Sequence, residues 1–401
     1  MRKTFKLFIF TAFACTFLLG ANMSAQAASK VAINDTNFSS EVKRKAEEAD
    51  TNGDGYLSKT EASKVKTLRL VPNYNLDSFK GIEYFKDITY FYYRGRSAGE
   101  YEDFDIIEES TASEINLSGF KKLERVKIDC RTPYLKTVNL EDCTRLKELT
   151  IEGGVMNTDG ITNINLKGCV NLQTVDFSEI FVNKLNLSGM KKLTSVSAFG
   201  YMETVNLKKC TSLKTAYLGG SQLKNVKLKN AKKLEDLSVR SDVLTTLDVS
   251  TNTQLKELYL GQGTALTSLD LSHNTKLTTM ECYQTKLTAL DFSHNKNLVK
   301  VDCHNNKNIA SINVKGCKKL RNLRFDNTKV TKINVKTNTN LRNLRCENTP
   351  LTKLNLKKNT QLQNLRCENT DILELDLTNT KIRKQTALKC DPDVAVTYAA
   401  K

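Results

Sequence analysis

Three histidines in 401 residues leave little material for proton-transfer chemistry. Two of them, His273 and His294, hold the same place in successive repeats, so they belong to a column before they are anything else. With a nearby carboxylate they offer at most an incidental metal site. The chain contains no Gly-x-Ser-x-Gly, no His-Glu-x-x-His, no phosphate-binding loop and no paired carboxylates in a cleft-forming context. These absences point away from an enzyme. Long apolar runs are equally scarce. One covers Leu7 to Ala21, behind Arg2, Lys3 and Lys6 and ahead of Ala25-Gln26-Ala27, the layout of a signal peptide cleaved after Ala27. It is short for a permanent anchor, and Phe13 two residues before Cys15 makes a poor lipidation site. No later stretch is apolar enough to cross a membrane, and no sorting signal is visible at the C-terminus. The expectation is a secreted, water-soluble chain, extracellular or loosely associated with the cell surface.

Charge is present in excess of one sign. Lysine and arginine number 61 against 44 aspartates and glutamates, a formal net charge of +17, and losing Arg2, Lys3 and Lys6 with the signal leaves +14. Such a balance favours anionic partners such as acidic glycans, teichoic acid-type polymers or lipid headgroups. A lysine-rich solvated surface gives the same sum. Nucleic acid is not among the expected partners.

The decisive feature is self-similarity at a period of about 21 residues. Leu341-Arg-Asn-Leu344-Arg-Cys346-Glu-Asn-Thr349-Pro-Leu351-Thr-Lys-Leu354-Asn-Leu356 is followed by Leu362-Gln-Asn-Leu365-Arg-Cys367-Glu-Asn-Thr370-Asp-Ile372-Leu-Glu-Leu375-Asp-Leu377. The same frame opens at Leu320, Leu298, Leu277, Leu255, Leu234, Leu213, Leu193, Leu172, Leu146, Leu123, Ile88 and Val65. In Leu-x-x-Leu-x-Leu the alternating residues make a short strand with leucines turned inward. One unit cannot bury its apolar face alone, so units stack into a continuous core and a parallel sheet. The ninth position takes a small polar side chain (Thr285, Asn306, Thr328, Thr349, Thr370) able to satisfy backbone groups at the turn. The pattern resembles the leucine-rich-repeat family, and within it the short-repeat type of internalin-like bacterial surface proteins. The fold class expected is α/β, a leucine-rich-repeat solenoid of about fourteen repeats with a curved parallel sheet and a small helical cap. The division expected is signal peptide 1–27, cap 28–64 and repeat domain 65–401, closed by an irregular strand around Leu388 to Val396. The resemblance also implies a secreted or surface-displayed protein that binds other surface molecules. The chain lacks the Ig-like segment, wall-binding modules and sorting tail of the larger members.

Ten cysteines follow residue 27, and in a secreted protein that number suggests disulfides. Their columns argue otherwise. Cys282, Cys303, Cys346 and Cys367 take the inward sixth position that holds Leu260, Val239 or Phe325 elsewhere. Cys143, Cys169, Cys210 and Cys317 replace an asparagine seen at Asn274, Asn295 and Asn359. Both columns read as buried thiols packed like small hydrophobes.

Ahead of the repeats, Asp50-Thr-Asn52-Gly-Asp54-Gly55-Tyr56-Leu57-Ser58-Lys-Thr-Glu61 matches the EF-hand loop position by position. Asp50, Asn52 and Asp54 offer side-chain oxygens, Tyr56 its carbonyl, Ser58 a direct or water-mediated ligand, and Glu61 both carboxylate oxygens. Phe38, Val42 and Ala46 give an apolar helical face before the loop, and Ser58-x-x-Glu61 is a capping box after it. The cofactor expected is Ca2+, constitutively bound and stabilising the cap. A vestigial loop that no longer binds metal is the alternative.

Outward strand positions should form the concave, partner-binding face. The middle units offer Tyr217, Tyr259 and Tyr283. The last units offer Arg324, Arg345 and Arg366 in one column with Arg321 and Arg342 beside it, a ladder suited to carboxylate, sulfate or phosphate. Asp326, Glu347 and Glu368 follow two residues behind each arginine and share its face, so the rows could neutralise each other. One spacing is irregular: about 35 residues separate Ile88 from Leu123, and the excess, 94–114, is acidic (Glu100, Glu102, Asp103, Asp105, Glu108, Glu109). It reads as a candidate functional loop or a solvated excursion. The function expected is a non-enzymatic adhesin or host-interaction factor that grips a protein partner. The alternative is an envelope-associated protein held to anionic polymers by charge.

Overall fold

The computed structural model describes residues 30–72, 76–95, 111–130, 134–153, 160–261, 263–383 and 387–398. The expected signal segment and residues 96–110 of the acidic insertion lie outside the described residues, so both readings stay expectations. The chain divides into two compact units, Met1–Leu146 with Gly154–Cys169, and Lys147–Gly153 with Val170–Lys401. Both are parallel-strand solenoids with few helices, of about 14 turns between them.

In the first unit, strands Thr67–Leu70, Tyr90–Gly95 and Arg125–Cys130 pair in parallel, in that order. Glu114–Asn116, Thr137–Asn139 and Asn163–Asn165 make a small parallel sheet of their own. Two helices precede them, Ser40–Ala49 and Lys59–Lys64. Phe38, Val42 and Ala46 are buried, as their 3.6-residue spacing requires. The second helix opens on the capping box: Ser58 accepts from the Glu61 N–H while the Glu61 carboxylate accepts from the Ser58 N–H.

In the second unit a long parallel sheet takes one strand per turn, from Glu148–Gly153 and Thr174–Ile180 through to Asn343–Arg345, Asn364–Arg366 and Leu388–Lys389. A connection of two dozen residues or fewer between parallel strands leaves no room for a crossover helix of ordinary length, and the return segment is instead a second short strand or a turn. Glu374–Asp376, one of these, pairs with Ala395–Thr397, so the C-terminal segment supplies a partner to each of the last two strands.

The inward columns form the core. Leu341, Leu344, Leu362 and Leu365 are fully buried, and so are Cys282, Cys303, Cys346 and Cys367. Each buried leucine contributes about 2 kcal/mol of hydrophobic stabilisation. All ten described cysteines are free thiols, nine of them buried and Cys390 partly exposed. The ninth-position hydroxyls act as expected, Thr328, Thr349 and Thr370 each donating to the carbonyl three residues back at 2.7–2.9 Å. Position eight, which the periodicity leaves unexplained, is left-handed in five successive turns: Gln284, Asn305, Asn327, Asn348 and Asn369 have φ of 53–57°. Asparagine is the L-residue that enters this region most cheaply, which accounts for its recurrence there.

The column shared by asparagine and cysteine has a stricter logic than apolar packing. Asn274, Asn295 and Asn359 each donate their side-chain amide to two carbonyls of the preceding turn at 2.9–3.1 Å. Asn252 and Asn338, absent from the sequence reading, do the same. Where cysteine stands in, its thiol faces the equivalent carbonyl: Cys143 to Leu117, Cys169 to Leu140, Cys210 to Leu187 and Cys317 to Phe292, at 3.0–3.3 Å. In these turns the column holds a buried donor, the thiol being its weaker form, while Phe120, Met190 and Ala231 fill the same place elsewhere with apolar side chains.

Candidate functional site

The outward fifth position of the long sheet forms one continuous row in register: Ser197, Tyr217, Ser238, Tyr259, Glu281, Asp302, Arg324, Arg345, Arg366, Lys389. Neighbours along it are about 4.8 Å apart. Tyr217, Tyr259, Arg324, Arg345 and Arg366 therefore share one row, in two stretches separated by the acidic pair Glu281 and Asp302, whereas Tyr283 lies just past its strand and Arg321 and Arg342 just ahead of theirs.

In the middle turns the tyrosines are held by their hydroxyls. Tyr217 donates to Asp236 Oδ2 at 2.6 Å and Tyr259 to Glu257 Oε2 at 2.7 Å. The hydrogen bond to Asp236 is the main reason the Tyr217 phenol is pushed up to about 12. Burial and then Glu257 raise Tyr259 as well. Burial also raises the Asp236 carboxyl, whose second oxygen is buried without a hydrogen-bond partner. The rings stay accessible: Tyr217 is 37% exposed and Tyr283 38%. Tyr283 stacks on His304 with centroids 5.9 Å apart, and His304 Nδ1 lies 2.6 Å from Asp302.

Several members of this patch are missing from the sequence reading. Phe181 and Tyr201 stack at 4.3 Å. Phe199 lies over Gly219, where an added Cβ would meet its ring at 2.6 Å, and the Arg240 side chain lies over Gly261, where a Cβ would meet its Cγ at 2.3 Å. The signal was available: glycine at position seven, one turn from a large side chain at the same position.

The last turns behave differently. Arg324 binds Asp326 with two nitrogens at 2.6 and 3.3 Å and approaches Asp302 at 3.7 Å. Arg345 holds Glu347 Oε1 at 2.6 and 3.1 Å. Asp326 is 3% exposed and Glu347 9%, so these guanidiniums neutralise buried acids of their own turn. Arg321, Arg342 and Arg366 are exposed, and no ion pair joins Arg366 to any described residue. Beside the row, Asn322, Asn343 and Asn364 pass an amide hydrogen bond from turn to turn at 2.6 Å.

In the cap, the loop between the two helices is closed by its own side chains. Asp50 accepts from the N–H groups of Gly53 and Gly55, Asn52 from Asp54, and Asp54 from Tyr56, each at 2.9 Å. Gly53 and Gly55 are left-handed, at φ of 69° and 77°. The buried Glu61 carboxylate accepts from Ser58 and Thr51, which draws its pKa down to about 2, the Ser58 N–H contributing most. The donor set is chemically that of a hard cation, with three carboxylates, an amide oxygen, a hydroxyl and a carbonyl within twelve residues. In the present arrangement these carboxylates are turned to protein donors, and among the described residues no three His, Cys, Asp or Glu side chains converge on a metal position. No helix among the described residues is long and apolar enough to cross a membrane.

No protein-family model and no curated protein sequence matches the chain. Solved structures do. The functional domain of InlJ from Listeria monocytogenes, which includes a cysteine ladder, is 20% identical with a TM-score of 0.51, over 87% of this chain and 78% of that one. An internalin of the same species, InlF, is 15% identical with a TM-score of 0.47, over 90% and 94%. Drosophila Toll, solved in complex with Spatzle, is 16% identical with a TM-score of 0.46, over 77% and 48%. With InlJ this chain shares a fold, the leucine-rich-repeat solenoid.

Proposed function

We propose that this is a secreted, non-enzymatic binding protein that holds a protein partner against the outward face of its long sheet. Tyr217, Tyr259 and Tyr283 are the anchors, and the exposed cations Arg321, Arg342 and Arg366 flank them. Arg324 and Arg345, ordered by Asp326 and Glu347, border the contact. One observation carries the reading: two tyrosines, Tyr217 and Tyr283, more than a third exposed, whose orientation is already fixed by hydrogen bonding or stacking. A pre-ordered aromatic loses little rotamer entropy on binding and contributes a large contact area. Ca2+ belongs to the cap in this reading, where Asp50, Asn52, Asp54, the Tyr56 carbonyl, Ser58 and Glu61 would hold it and stabilise the helical pair.

A second reading rests on a different surface. Lys315, Lys318, Lys336, Lys357 and Lys358 are exposed on the return segments of the last turns, a basic stretch suited to an anionic cell-wall polymer or acidic glycan. Salt separates the two. Immobilised protein is exposed to animal-cell and bacterial-envelope extracts at low and at high ionic strength. A discrete protein retained at high salt supports the first reading. Anionic polymer alone, released by salt, overturns it and leaves the second.

A further inference from the structure

The strand Lys30–Ala32 runs antiparallel to Tyr56–Ser58, with Lys30 opposite Ser58, Val31 opposite Leu57 and Ala32 opposite Tyr56. The Ile33 N–H adds a bond to the Gly55 carbonyl at 3.0 Å. The stretch so paired, Tyr56–Ser58, is positions seven to nine of the twelve-residue candidate calcium loop, between Asp54 and Glu61. The first described residues of the chain are therefore fastened to the loop itself.

This pairing delivers a charge. Lys30 Nζ lies 2.8 Å from Asp54 Oδ2 and 4.5 Å from the centroid of the Tyr56 ring. The other Asp54 oxygen accepts from the Tyr56 N–H. Asp50 and Glu61 are satisfied by neutral donors, backbone amides and hydroxyls. Among the described residues, Lys30 is the one cation in hydrogen-bond reach of any of the three carboxylates. A calcium ion needs an Asp54 oxygen at about 2.4 Å. An ammonium 2.8 Å from Asp54 Oδ2 repels an incoming ion and occupies one of the two oxygens that could take it.

We propose that Lys30 is the loop's own cation, orienting Asp54 while the loop is metal-free and leaving before Ca2+ takes that carboxylate. Its second half rests on the calcium reading above; its first half stands on the geometry alone. Lys30 thus has two opposed effects, closing the empty loop and weakening the metal's hold. Because it arrives on a separate strand, its ammonium swings away without breaking the backbone bonds of the ribbon.

The test uses the purified protein and the variants K30Q and K30R, with two readouts. The first is hydrogen exchange of the Gly53 to Tyr56 amides in chelator. K30Q should speed exchange by about two- to fivefold, the range for a partly exposed ion pair, and K30R should match the parent. The second is calorimetric titration with calcium chloride. K30Q should bind about three- to tenfold more tightly, with K30R again unchanged. Unchanged exchange in K30Q, or weaker calcium binding by it, overturns the proposal. If neither parent nor variant takes up Ca2+, the calcium reading falls by itself and the exchange readout alone decides whether Lys30 closes the loop.

Discussion

In the middle turns of the long sheet, Tyr217 and Tyr259 give their hydroxyls to Asp236 and Glu257, Tyr217 staying exposed and Tyr259 half-buried. In the last turns, Arg324 and Arg345 occupy the same row and give their charged ends to Asp326 and Glu347. Both arrangements join an outward side chain to a nearby carboxylate. The difference is which part remains available. A tyrosine tied by its hydroxyl still presents an apolar ring, whereas an arginine tied by its guanidinium has little left to offer a carboxylate or phosphate. Two members of the apparent ligand ladder, Arg324 and Arg345, are thus the more committed to their own fold.

Stability should separate the two stretches most strongly. Arg324→Ala leaves the buried Asp326 without its charged partner, with only the Asn327 amide still donating to it, and should lower unfolding free energy by about 2–3 kcal/mol. Tyr217→Phe leaves the half-buried Asp236 short of one donor and should lower it by less than about 1 kcal/mol. Urea unfolding measures both, and equal losses would break the distinction. Adding Asp326→Asn to Arg324→Ala should recover at least half of the loss. The donor column beneath supplies the control. Asn274 and Asn359 make the same pair of bonds in the turns of Tyr259 and Arg345, so Asn274→Leu and Asn359→Leu should each cost about 2 kcal/mol. Unequal costs would place the difference in the scaffold instead of the face. Thiol reactivity is the mildest probe. Burial pushes Cys282 and Cys367 up to about 12, one in each stretch. At pH 8 iodoacetamide should therefore spare both and modify the partly exposed Cys390 first, as mass spectrometry of the native protein would record.

Much of this was legible in the repeat. The spacing of leucines set strand, register and core, because period-two alternation leaves one choice of which face is buried. The row of tyrosines and arginines followed from the same register. Its electrostatic state did not. The acids two residues behind each arginine were visible, but whether they pair within the turn or face solvent depends on burial, and Asp326 is far more buried than a strand-edge acid need be. The cysteine column was placed correctly and understood only as packing. Its relation to asparagine becomes chemical once both are seen to donate to the same carbonyls. Phe199 and Arg240 escaped because their role depends on glycine one turn away, a contact across 20 residues that no local pattern displays. Lys30 escaped for a related reason: the strand that carries it is three residues long and pairs with a loop.

The most direct measurement compares two double variants for affinity toward the protein partner retained at high salt. Tyr217→Ala with Tyr259→Ala should weaken binding by about 100-fold or more, the loss of two aromatic anchors at about 2 kcal/mol each. Arg324→Ala with Arg345→Ala, assayed well below its unfolding temperature, should weaken it by less than about threefold. The reverse order, with arginine loss abolishing binding and tyrosine loss tolerated, would contradict the account.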